Sequence, residues 1–156
     1  MSSISSVQSD MKMYRSRKTT KAYHTKLNHP PRELQSSEAC VFCQLDDRPV
    51  LSETSSMQVF PNKYPYEYWD NRGVIEHLLL VPKRHVESLS ELTDAEKVDA
   101  MDLMAQYEAA GYSVYWRSKT NTARSVSHQH THLIKVDNVS PHLAVYSQKP
   151  YFVFKV

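Results

Sequence analysis

The chain has 156 residues, 40% of them hydrophobic and 23% charged, with a formal net charge of +2. That is enough for one domain with an ordinary core and a tail. It excludes a membrane span, because the longest apolar run, Leu78 to Val81, is far too short. The charge is uneven: residues 1–34 carry seven Lys/Arg against Asp10 and Glu33, a net +5, so the remainder is −3. The start is serine-rich (Ser2, Ser3, Ser5, Ser6, Ser9) and is expected to be disordered. Residues 1–36 read as a basic, flexible arm ending at His29-Pro30-Pro31. Such an arm is either a solvated tail or a contact for nucleic acid. The first eleven residues lack a basic stretch followed by an apolar one, so a cytoplasmic protein is expected.

Residues 37–156 read as one domain. Met57 to Phe60 alternates and predicts a short strand, Pro61 to Pro65 a turn, and Tyr66 to Arg72 a loop. Val74 to Pro82 suits a buried strand. Thr93-Asp94-Ala95-Glu96 is a capping box opening a helix to about Ala110, with Gly111 as its left-handed stop. Val98, Met101 and Ala105, with Leu103 and Tyr107, are the expected buried side of that helix. Ser113 to Trp116, Ser127 to Val136 and Tyr151 to Val156 read as strands, with a polar loop over 118–124. The order predicts an α+β fold: an antiparallel sheet of about five strands, one main helix over about 93–110, and a short N-terminal helix or turn.

Gly73 and Gly111 are the only glycines. Glycine-rich phosphate loops are therefore excluded, and any phosphate chemistry falls to side chains. Cys40 and Cys43 form a C-x-x-C pair that in a cytosolic protein favours a metal over a disulfide. His128, His130 and His132 stand at i, i+2 and i+4. On a strand they share one face at about 6–7 Å intervals, a row that suits a polyanion or a metal.

The segment His128-Gln129-His130-Thr131-His132-Leu133-Ile134 resembles the signature of the histidine triad (HIT) family, with polar Gln129 and Thr131 where apolar residues are usual. These two imply a more solvated or differently packed reverse face. The resemblance extends over about residues 38–136. Cys40 to Cys43 looks like the opening C-x-x-C, and Phe60 to Pro65 like the ribose-binding turn. Glu76 to His85 looks like the H-x-L-V-x-P-K-x-H strand, and Arg124 to His128 like the serine-containing approach to the triad. Ala123 stands where glycine is usual, and Arg117 where an amide side chain often meets phosphate.

The resemblance implies a nucleotide hydrolase or transferase. His130 would attack the α-phosphorus of a dinucleoside polyphosphate or nucleoside phosphoramidate and form a nucleotidyl-histidine intermediate. His132 would orient the site and bind a phosphate oxygen, and Ser125 would serve the phosphate or the leaving group. Asn62 would hold the ribose, Arg124 or Asn121 would approach the phosphates, and Phe42, Phe60 and Leu80 would line the base pocket. Cys40, Cys43, His85 and His128 would hold a structural zinc. A homodimer is also implied. Two other readings are a zinc-stabilised nucleotide-binding module with little turnover and a hydrolase of adenylated nucleic-acid ends.

Overall fold

The computed structural model describes residues 13–15, 19, 21, 37–44, 48–70 and 72–137. The serine-rich start and the strand expected over 151–156 lie outside these residues. The elements are β1 (Met13–Tyr14), β2 (Ser52–Glu53), β3 (Met57–Pro61), β4 (Tyr68–Trp69), β5 (Arg72–Pro82), helix α1 (Asp94–Ala109), β6 (Ser113–Trp116) and β7 (Thr131–Val136). Single 3-10 turns at Ser37–Ala39 and Leu89–Glu91 complete them. The fold is α+β, as expected. The sheet holds seven strands among the described residues rather than about five, because β1 and β4 add two-residue ladders.

β5 is the hub. It pairs antiparallel with β3 on one side and with β7 on the other, and β2 and β6 extend the two edges. Its first residues also pair with β4, which pairs with β1. Tyr68–Trp69, expected within a loop, is thus a strand, and Met13–Tyr14 of the basic N-terminal segment lies beside it in register with Trp69 and Tyr68.

Strand alternation divides the core between two faces. Met57, Val59, Leu78, Leu80 and Leu133 pack with Ala100 and Leu103 beneath α1. Phe60, Leu79 and Val81 pack on the other face with Cys40, Phe42 and Val126. The helix starts where its capping box places it. The Thr93 hydroxyl accepts from the Glu96 N–H and the Glu96 carboxylate accepts from the Thr93 N–H. Gly111 stops it at a φ of +89°.

The buried side of α1 differs from expectation. Val98 and Met101 are 58% and 62% exposed, and Ala105 is exposed as well. Glu96, Ala100 and Leu103 face inward, with Met104 and Tyr107 beside them. Two weak apolar stripes run along this helix, about 140° apart from Val98 to Leu103 at 3.6 residues per turn. Polar anchors select between them. The Glu96 carboxylate accepts a fork from Arg84 at 3.0 and 2.7 Å. Asp99 accepts from the hydroxyls of Thr54, Ser55 and Ser56 at 2.8, 2.9 and 2.6 Å. Tyr107 meets the Ser52 hydroxyl at 2.9 Å.

Candidate active site

β7 carries only the last of the three histidines. The strand was expected from Ser127 but begins at Thr131, whose partner Leu80 closes the ladder with β5. Beyond that pair β5 continues against β3 alone. Residues 128–130 approach the strand as a tethered segment instead. The Gln129 N–H donates to the Val86 carbonyl at 2.6 Å. The Arg124 guanidinium donates to the carbonyls of Val126 and Ser127. Two of the three imidazoles stay side by side at the cleft, with the His130 and His132 rings 5.2 Å apart, while His128 turns away to Cys40 and Cys43. Gln129 and Thr131 are buried, at 3% and 4% exposure, so the reverse face is packed and not solvated.

The hydrogen bonds settle the tautomers. Nδ1 of His130 lies 2.8 Å from the carbonyl of His128. A carbonyl only accepts, so Nδ1 carries the proton and Nε2 keeps its lone pair. Nδ1 of His77 accepts from the Tyr66 N–H at 3.0 Å, so its proton is on Nε2. That Nε2 donates to Nδ1 of His132 at 2.8 Å. Nε2–H of His132 is then a donor, buried and without a partner among the described residues.

Burial is the main cause holding these rings neutral. It brings His130 down to about 4, helped by the charges of Arg124, Arg117 and Arg15. It brings His77 down to about 3, with Arg15 and His130 adding to it. His132 is pushed well below the usual imidazole range by burial, then by His130 and His77. Tyr66 stacks on His77 at 4.9 Å, and the edge of Phe42 meets His130 at 5.2 Å, so packing fixes what the hydrogen bonds orient.

A cleft of about 530 Å³ opens in front of His130 and His132. Ser125, Asn62 and Phe42 also line it. Phe60 and Leu80 do not. Phe60 is wholly buried behind Phe42, and Leu80 points to the helix side, leaving its neighbour Leu79 on the cleft. Arg124 is 3% exposed, and its Nε and Nη2 donate to the backbone before the triad. Asn121 is displaced by Thr122 and Ala123, and its Oδ1 accepts from the Ala123 N–H at 2.8 Å. Asn62 both lines the cleft and makes its own turn, with Oδ1 accepting from the Tyr64 N–H at 2.9 Å. Arg15, Arg48, Lys63 and Arg117 reach the cleft as well. Of these, only Arg117 stands at a position the resemblance singles out. His77 lies within the Glu76–His85 strand match, which implies no role for it. Its parity with Leu79 and Val81 was the signal that set it on the cleft face.

Behind the histidine row, the ligand atoms of Cys40, Cys43, His85 and His128 all lie within 4.8 Å of one another. Sγ of Cys40 and of Cys43 are 3.4 and 3.5 Å from Nδ1 of His128, and Sγ of Cys43 is 3.3 Å from Nδ1 of His85. A tetrahedral zinc with ordinary bond lengths separates sulfur from nitrogen by about 3.5 Å, so the donor set fits such an ion. Nε2 of His128 meets the Pro82 carbonyl at 3.0 Å, which keeps the proton there and leaves Nδ1 for a metal.

Residues 70–139 match the HIT domain family. Adenosine 5'-monophosphoramidase HNT1 of Saccharomyces cerevisiae is 31% identical over 101 residues, covering 62% of this chain and 61% of its own length. A hypothetical protein from Leishmania major superposes with a TM-score of 0.55 at 24% identity, over 72% of this chain and 84% of that one. A HIT family hydrolase from Clostridium thermocellum superposes with a TM-score of 0.52 at 18% identity, over 68% of this chain and 97% of that one. The chain therefore has the histidine triad fold, and its residues 70–139 match the HIT domain.

Proposed function

We propose that this chain is a HIT-family nucleotide hydrolase or transferase in which His130 is the nucleophile. The observation that carries the reading is the Nδ1 bond of His130 to the His128 carbonyl, which leaves a neutral Nε2 in a cleft beside the unpartnered Nε2–H of His132. The lone pair of Nε2 forms a bond to the α-phosphorus as the bond from phosphorus to the leaving group breaks. The leaving group departs with that electron pair and takes up a proton. Water then attacks the same phosphorus, the phosphorus–nitrogen bond returns its pair to Nε2, and the nucleoside monophosphate is released. His132 donates to a phosphate oxygen as negative charge builds up, and its donor needs no reorganisation because His77 already holds the tautomer. Ser125 serves the phosphate or the leaving group, Asn62 the ribose, and Phe42 with Leu79 the base.

Zinc is the ion proposed for Cys40, Cys43, His85 and His128. Four protein ligands leave no open coordination position, so its role is to hold the turn carrying Phe42 against the segment carrying His130. Residues 37–156 are the proposed catalytic domain, working in the cytoplasm, with Arg15 of the N-terminal segment reaching its cleft. Exposed Val98 and Met101 on α1 favour a homodimer. The deciding experiment is trapping with radiolabelled adenosine phosphoramidate and diadenosine polyphosphate. An acid-labile adduct is expected with the wild type and none with His130→Ala, whose turnover should fall by about 10³-fold or more. Nucleotide binding with neither adduct nor turnover would leave a binding module.

A further inference from the structure

Met13, Tyr14, Arg15 and Thr19 stand well before the matched residues 70–139, yet they are attached to the site at three points. Met13 and Tyr14 pair with Trp69 and Tyr68. The Arg15 guanidinium sits 4.5 Å from the centre of the Tyr66 ring and reaches the cleft. Beyond it, the Thr19 hydroxyl donates to the Glu67 carboxylate at 3.3 Å. All three attachments fall on the consecutive residues 66–69. A two-residue ladder holds little by itself, so the side-chain contacts share the work of keeping the segment in place.

Residues 66–69 also shape the pair His77 and His132. Tyr66 gives His77 its N–H at 3.0 Å and stacks on it at 4.9 Å, and the Tyr66 ring lies 5.8 Å from that of His132. Trp69 stacks on Tyr66 at 5.8 Å and meets Tyr115 at 5.1 Å, and Tyr115 stacks on His132 at 5.8 Å. Three aromatic rings therefore surround the two imidazoles. The N-terminal segment holds two of these rings, with Arg15 over Tyr66 and Met13 in register with Trp69. A guanidinium is drawn to the electron-rich face of an aromatic ring, which gives Arg15 a reason to stay there. After burial, its charge is the next cause keeping His77 neutral, the state in which Nδ1 can accept from Tyr66. Resting on the nucleotide reading above, in which His132 presents Nε2–H to a phosphate, we infer that Arg15 is a positioning residue. Held by β1, it clamps Tyr66, and through Tyr66 it fixes the hydrogen bond from His77 to His132. The basic N-terminal segment is then a working part of the site, and not a solvated tail.

The full chain without substrate decides this, so the outcome does not depend on turnover. Histidine-ring NMR should show one His132 tautomer and a slowly exchanging Nε2–H on His77. In Arg15→Gln that proton should exchange about tenfold faster, and the His132 signals should shift towards the other tautomer. Arg15→Lys keeps a cation for Tyr66 and should recover part of both effects. A full-length variant with Met13→Pro and Tyr14→Pro keeps Arg15 but breaks its ladder, and should behave like Arg15→Gln. With Tyr66→Leu already in place, Arg15→Gln should add little, because the intermediary is gone. Melting curves establish that each variant is folded. Ring signals that stay put in folded Arg15→Gln overturn the inference, as does an undiminished Arg15→Gln effect once Tyr66 is replaced. In turnover, Arg15→Gln should lower kcat about tenfold and change KM less than about threefold. The reverse split would make Arg15 a substrate contact and also overturns it. A wild type that forms no His130 adduct, with the ring signals responding as expected, would instead defeat the catalytic reading and leave the coupling of Arg15 to His77 standing.

Discussion

His77 makes no direct approach to the proposed phosphate, yet it decides what His132 presents to the cleft. Its Nδ1 is occupied by a backbone donor, so only its Nε2 can carry the proton that fixes the His132 tautomer. Replacing it with Ala should lower kcat by about 10²-fold or more with little change in KM, as losing a tautomer-fixing partner does elsewhere. Nitrogen NMR of the His132 ring should then show a mixed tautomer. A purely structural role would lower the melting temperature and leave those signals unmoved. The cysteine–histidine donor set makes a second prediction at this scale. Purified protein should contain about one zinc per chain, and Cys40→Ala should lose both the metal and several degrees of thermal stability.

At the scale of elements, α1 is positioned by its ends more than by its apolar residues. Thr93→Ala removes the N-cap hydroxyl and should cost about 1 kcal/mol, measurable by urea denaturation. Glu96 and Asp99 make the same attachment depend on pH. The Arg84 fork and the Thr93 N–H hold Glu96 down at about 2 from an ordinary 4.5, and the Ser56, Thr54 and Ser55 hydroxyls hold Asp99 at about 2. Both carboxyl groups have folded values below their unfolded ones. Their contribution is therefore complete above about pH 4.5 and is lost as pH falls towards 2. Glu96→Gln should flatten the melting temperature against pH over that window and lower it at pH 7.

Across the whole molecule, β5 links three sites that lie on different parts of the chain. Its ladder with β7 sets Leu79 opposite His132, its ladder with β3 leads to Asn62, and its exit at Pro82 leads to His85. Cys40 and Cys43 both meet His128, so the turn carrying Phe42 and the segment carrying His130 lie against each other. Chelation should consequently lower activity along with stability, and readdition of zinc should restore both.

Motif order along the chain was enough to anticipate the fold class, the capping box, the stop at Gly111, β6, the clustering of Cys40, Cys43, His85 and His128, and a cleft containing His130, His132, Ser125 and Asn62. These depend on local rules, namely cap chemistry, strand parity and ligand spacing, which a one-dimensional pattern records. Which stripe of α1 is buried did not follow, because two similar stripes compete and Asp99, Glu96 and Tyr107 select between them through partners 43 or more residues away for Asp99 and 55 for Tyr107. The demotion of Arg124 and Asn121 to backbone ties, and the arrival of Arg15 through β1, were likewise decided only by the tertiary structure. A side chain's direction there depends on which carbonyls or strands the folded chain brings within hydrogen-bonding reach, and spacing along the sequence contains no record of that distance.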